Sequence, residues 1–169
     1  MNPKFPKDSL TTLTDMVLPG ETNPLNNLFG GELLARMDRA ASITARRHSR
    51  RVCVTASVNH VAFNKAIPLG SVVTVESKVS RAFKTSMEIF IDVWTEDRES
   101  GVKTKANEAI YTFVAVDDTG TPVEVPPIQP ETELEYQRYE AALRRKQLSL
   151  VLAGKMNPHE ATELKALFV

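Results

Sequence analysis

Asp38 is the residue of this sequence whose type and position most invite a chemical role. It falls in a run from about Glu32 to Arg47 in which Leu33, Leu34, Met37, Ala40, Ala41, Thr44 and Ala45 recur at spacings of three and four, the pattern of a helix with one apolar face. Asp38 sits at the edge of that face, beside Leu34 and Ala45. A carboxylate against buried surface is costly unless it is paired or placed in a polar cleft. Two readings follow: an edge aspartate that reaches solvent or pairs with a nearby arginine, or a general base that activates water. Phe29-Gly30-Gly31 stands just before the helix. Paired glycines let a backbone approach a ligand, and a helix N-terminus offers unpaired N–H groups. They could hold a developing oxyanion, or form a tight turn and nothing more. Asn23 lies in a turn-rich stretch where asparagine is common for local hydrogen bonding. Together a carboxylate, an amide and backbone donors would suffice to hydrolyse a thioester.

Other chemistries lack their residues. There is no Gly-x-Ser-x-Gly elbow, and Cys53 falls in a strand pattern, as a core thiol would. His48, His60 and His159 have no metal-ligand spacing, so no metal site is expected. Neither standard glycine-rich nucleotide loop is present.

The elements that would position these residues are legible in outline. Leu10 to Leu18 reads as a strand ended by Pro19-Gly20. On the helix, Arg36, Arg39, Arg46 and Arg47 read as the polar face. From Arg51 the period changes to two, and Val52, Val54, Ala56 and Val58 alternate with more polar residues. Further strands are predicted over Val73–Val79, Thr85–Glu96 and Lys103–Val116, joined by short turns. Short turns make strands antiparallel, so the fold class is α+β, one long helix against an antiparallel sheet of about five strands. The sheet's other face must meet water or a second copy of itself. Residues 1–121 form the domain. Residues 122–130, with four prolines, read as an extended linker, and residues 131–169 as a helical extension. Glu131 to Gln147 runs from acidic to basic, as a helix dipole favours, and Asn157-Pro158-His159-Glu160 caps a last short helix.

Composition limits the function. Of 169 residues 42% are hydrophobic and 25% charged, and Lys plus Arg equals Asp plus Glu at 21 each. That balance argues against nucleic acid as a partner, since phosphate contacts favour a basic excess. No run of about 18 apolar residues exists to span a membrane. The start lacks the apolar stretch of a signal peptide, and a single cysteine suits a reducing compartment. A cytoplasmic location is therefore expected.

The run Glu21-Thr22-Asn23, Leu28-Phe29-Gly30-Gly31, Leu34 and Met37-Asp38 resembles the signature of the acyl-CoA hydrolase group of hot-dog-fold thioesterases. Val54-Thr55-Ala56-Ser57-Val58 with Phe63, Val79 to Glu88, and Thr112 to Val116 resemble that family's later blocks. The resemblance implies a hot-dog fold and hydrolysis of fatty-acyl-CoA to fatty acid and coenzyme A, with no cofactor beyond the coenzyme A of the substrate. It implies Asp38 and Asn23 as the catalytic pair, supplied by different subunits of a dimer, three such dimers often assembling. It implies Gly30 and Gly31 as the oxyanion turn, and Ala56, Ser57, Val58, Phe63, Lys84, Thr85, Ser86 and Met87 as the coenzyme A site. Three positions depart from the family: Asn26 replaces a usual glycine, Glu21 a usual aspartate, and Lys84 a frequent arginine. Two other readings are a hot-dog hydratase or dehydratase, which lacks the histidine its proton transfers need, and a non-catalytic acyl-CoA-binding module.

Overall fold

Strand alternation and helix periodicity meet along one buried surface. The computed structural model describes residues 1–169. Its elements are a short helix α1 (Pro6–Ser9), β1 (Thr11–Met16), a single 3-10 turn (Pro19–Glu21), α2 (Gly30–Ser49), β2 (Val52–Asn59), β3 (Val72–Ala82), β4 (Ser86–Glu96), β5 (Lys103–Val116), α3 (Glu133–Leu152), a second 3-10 turn (Pro158–Glu160) and α4 (Thr162–Lys165). The five strands form one antiparallel sheet in the order β1-β3-β4-β5-β2. α2 lies in its concave face, which is the hot-dog arrangement expected.

On β3 and β4, Val73, Val75 and Val79 and Met87, Ile89, Ile91 and Val93 point inward and are buried. Leu33, Met37, Ala40, Ala41 and Ala45 face them from α2. The three alanines let the helix axis sit close to the sheet. Where Thr44 meets Ser77 the two hydroxyls bond at 2.7 Å, so the one polar contact between helix and β3 core is satisfied. α2 begins two residues earlier than its apolar pattern suggests, because Gly30 and Gly31 form its first turn. It ends at Arg50 in a left-handed conformation.

Two expectations change. Arg36, read as part of the polar face, is buried: its Nη2 donates to Glu21 Oε2 at 2.8 Å and to the Met16 carbonyl at 3.1 Å. A buried guanidinium needs such partners, and they come from a loop distant in sequence. The outer face of the sheet meets neither water alone nor only a second copy, because α3 lies across it. Glu88, buried, accepts a bidentate pair from Arg145 at 2.8 and 2.9 Å. Asp92, also buried, takes Arg138 and Lys105, and Lys78 meets Glu135. α3 starts at Thr132, whose hydroxyl accepts from the Glu135 N–H in a capping box.

Residues 122–130 are extended but bonded along their length. The Val125 N–H donates to Lys84 O, Lys4 donates to Pro127 O, and Gln129 donates back to Lys4 O. Val125 and Ile128 join the core. His48, fully buried at the end of α2, bonds the Pro126 carbonyl through Nε2 at 2.6 Å. A carbonyl only accepts, so Nε2 carries the proton and Nδ1, which has no partner, is bare.

Burial, with the Lys4 charge adding to it and the Pro126 bond and Asp8 opposing, holds His48 below its usual pKa. The unfolded chain therefore takes up this proton first as pH falls. The stability from neutral His48 is complete above about pH 6.5, the ordinary histidine value, and drains away toward the lower folded value. Thermal unfolding followed from pH 8 to pH 5 should show a fall in Tm below about pH 6.5 that is shallower in His48→Gln; equal slopes would remove His48 as the cause.

Candidate active site

The loop that carries Asn23 folds on itself. Thr22 and Leu28 form an antiparallel bridge, and the Asn23 N–H donates to Asn27 O at 2.8 Å. The side-chain Oδ1 of Asn23 accepts from the Leu25 and Asn27 N–H groups at 3.0 and 3.1 Å. Both bonds consume the acceptor end of the amide, which leaves the Nδ2 group as a free donor. Asn26 holds the turn with a φ of 58°, a left-handed conformation that glycine takes freely and asparagine tolerates, so this departure from the family keeps the geometry. Glu21 serves the same loop. Its carboxylate accepts from Leu18 N–H at 2.9 Å and from Arg36, and these contacts, the Leu18 bond foremost, hold its pKa below the usual range.

Gly30 and Gly31 open α2 after Phe29, which gives no side-chain cap. Glu32 and Leu33 N–H both turn to Phe29 O, so the N–H groups of Gly30 and Gly31 are left without intrahelical acceptors. A Cβ at Gly31 would lie 3.1 Å from the Phe29 ring, and one at Gly30 would lie 3.4 Å from Phe63. Asn23, Gly30 and Phe63 line one cavity of about 340 Å3 with Leu33, Lys65 and Asn107.

Asp38 is elsewhere. It lies eight residues along the same helix from Gly30, about 12 Å at a rise near 1.5 Å per residue, and does not line that cavity. It makes no ion pair, so the paired-arginine reading is not realised. Instead its Oδ1 accepts from the Thr55 hydroxyl at 2.8 Å, and its other oxygen is free of side-chain partners. Beneath it, buried Tyr111 donates to Leu34 O at 3.0 Å, one turn before Asp38. Burial and the Asp38 charge push the Tyr111 phenol up to about 12, so it stays a neutral donor. Thr55 and Tyr111 were given no role by the sequence. Their signal is only that both occupy inward strand positions with a hydroxyl.

The residues expected at coenzyme A divide. β2 carries a bulge: Thr55 pairs with Phe113 and the next pair is Ser57 with Thr112, so Ala56 is the extra residue. Thr55 therefore faces α2, while Ser57 turns to the outer face. Ala56, Ser57 and Ser86 line a second cavity, of about 330 Å3, beneath α3. Val58 is exposed on β2, and Phe63 belongs to the Asn23 cavity. Lys84 is exposed, and the Lys84 and Thr85 carbonyls bind Val125 and Ala115 N–H. The Met87 side chain alternates with Ser86 into the core and is wholly buried, so at this position only the backbone faces the strand's neighbours.

A half-buried carboxylate on the central helix, held by a strand hydroxyl, and open N–H donors at the helix start sit on a hot-dog frame. The thioesterase superfamily model matches residues 25–102. An acyl-CoA thioester hydrolase of Bacillus subtilis, described as uncharacterized, is 42% identical over 84% of this chain and 83% of its own. A hexameric acyl-CoA thioesterase structure superposes with a TM-score of 0.86 at 36% identity, covering 90% of this chain and 98% of that one. An acyl-CoA hydrolase of Staphylococcus aureus, solved with butyryl coenzyme A and coenzyme A, superposes with a TM-score of 0.85 at 31% identity over 98% and 99% of the chains. That protein has also been solved with alanine in place of an aspartate, an asparagine or a threonine. The chain belongs to the acyl-CoA thioester hydrolases of the thioesterase superfamily.

Because the Asn23 loop depends on a left-handed residue, Asn26→Gly should leave Tm and activity near wild type, and Asn26→Ala should cost about 1–2 kcal/mol, measured by chemical unfolding. Equal stability of the two variants would show that the turn does not require that conformation.

Proposed function

We propose that this chain hydrolyses fatty-acyl-CoA at a site shared by two subunits, Asp38 coming from one and Asn23, Gly30 and Gly31 from the other. The separation carries the reading: within one chain the Asn23 and Gly30 cavity and Asp38 stand about 12 Å apart on one helix, yet each set is preorganised. β2, the strand that holds Asp38 through Thr55, is an edge strand with Val52, Val54 and Val58 exposed, and unpaired edges favour a partner. The hexameric relative supports association, and three dimers are our reading of the assembly. The replaced asparagine, aspartate and threonine of the Staphylococcus aureus hydrolase are spaced along its chain as Asn23, Asp38 and Thr55 are here.

In this mechanism Thr55 fixes one oxygen of Asp38, and the other takes a proton from water as the water oxygen bonds to the thioester carbonyl carbon. The negative charge moves to the carbonyl oxygen, where the open helix N–H groups and the Nδ2 group of Asn23 donate to it. The carbonyl re-forms, the C–S bond breaks, and the departing thiolate receives the proton from Asp38. Fatty acid and coenzyme A are released. No cofactor enters these steps. Ala56, Ser57, Val58, Phe63, Lys84, Thr85 and Ser86 are proposed to border the coenzyme A moiety. We place the protein in the cytoplasm, on its one unpaired cysteine.

Asp38→Ala should lower kcat for palmitoyl-CoA by about 10² or more with the fold intact, as should Asn23→Ala by a smaller factor. Mixing the two impaired proteins under conditions of subunit exchange should raise thiol release above the sum of the two alone, since one site of each mixed dimer regains both residues. Confirmed exchange with no recovery would overturn the shared site.

A further inference from the structure

We infer that α3 and the turn after it, which lie outside the stretch matched by the family model, form one wall of the coenzyme A site and bind the phosphates of its nucleotide through Lys146 on the helix and Lys155 on the turn. The inference rests on the acyl-CoA reading above.

The cavity of about 330 Å3 between α3 and the outer face of the sheet falls within the roughly 300–1,000 Å3 of small-molecule sites. Ser57, Asn59 and Ser86 line it from the strands; Lys146, Ser149 and Lys155 line it from the C-terminal segment. Its charges do not cancel. Arg145 and Glu88, at its floor, neutralise each other in their bidentate pair. Lys146 and Lys155 have no carboxylate in ion-pair range. Two uncompensated cations facing hydroxyls and an amide suit a phosphorylated ligand.

Both lysines are placed by the fold. Lys146 Nζ lies 5.2 Å from the centroid of the Phe83 ring, which also lines the cavity. Lys155 follows Gly154, whose φ of 69° turns the chain back so that the Lys155 N–H closes on Leu150 O at 2.8 Å. The Ala56 bulge supplies the link to the chemistry. Thr55 reaches Asp38 on the inner face while Ser57, two residues on, opens to this cavity. A long, flexible pantetheine arm passing the end of β2 beside Asn59, which also lines the cavity, would join a nucleotide outside to a thioester inside.

The test compares acyl-CoA with the same acyl-pantetheine, which lacks the nucleotide, in wild type and in Lys146→Ala/Lys155→Ala, with circular dichroism to confirm that α3 remains. The preference for acyl-CoA, as a ratio of kcat/KM values, should fall roughly ten- to hundredfold through KM, and adenosine 3′,5′-bisphosphate should inhibit wild type competitively against acyl-CoA. An unchanged preference, or inhibition that acyl-CoA does not relieve, would overturn the subsite and leave the hydrolase reading standing. Failure of wild type to hydrolyse either substrate would instead remove the reading on which it rests.

Discussion

The close approach of one helix to the concave face of a sheet governs this molecule. Ala40, Ala41 and Ala45 are fully buried at that contact, and their small side chains set the helix height above the strands. Interiors are packed tightly enough that a single added methylene is felt. The bonds of the proposed site cross or border this same gap: Thr55 to Asp38, Tyr111 to the turn before it, and Arg36 to the loop that carries Asn23. None of them could tolerate a helix raised by even an ångström. The geometry of the proposed site is thus inherited from alanines buried beneath it.

Much of this was legible in the residues. The helix, all five strands and the short turns follow from hydrophobic period and turn chemistry, because those signals are local. Asp38 stood out for the same reason, as a charge out of register with its face. What escaped was set by partners far along the chain. Arg36 looks like any surface arginine until Glu21 is brought to it. Thr55 and Ser57 read as neighbours on one face of a strand, and only the Ala56 bulge, a property of its pairing with β5, sends them to opposite faces.

The outer face of the sheet follows a different logic from the inner one. Glu88 and Asp92 occupy strand positions that read as solvent-facing, yet both are buried because α3 brings arginines to them. Ion pairs of this kind add little net stability relative to apolar packing, but removing one partner strands a buried charge. They fix where α3 lies more than how firmly it is held. A helix positioned this way can roof a polar cavity without collapsing onto it, as a greasy contact would.

The bridge between Lys4 and Ile128 bears on how the chain is made. Synthesis is vectorial, and domains acquire structure as they emerge. Lys4 leaves the ribosome well before its partners: the carbonyls it bonds, at Pro127 and on His48, are not both available until Pro127 has been made. Closing that contact spans nearly the whole domain, the kind of distant pairing that slows folding. The Lys4 segment, made long before its partner, is thus bound to settle late, once the proline-rich strap arrives to take it.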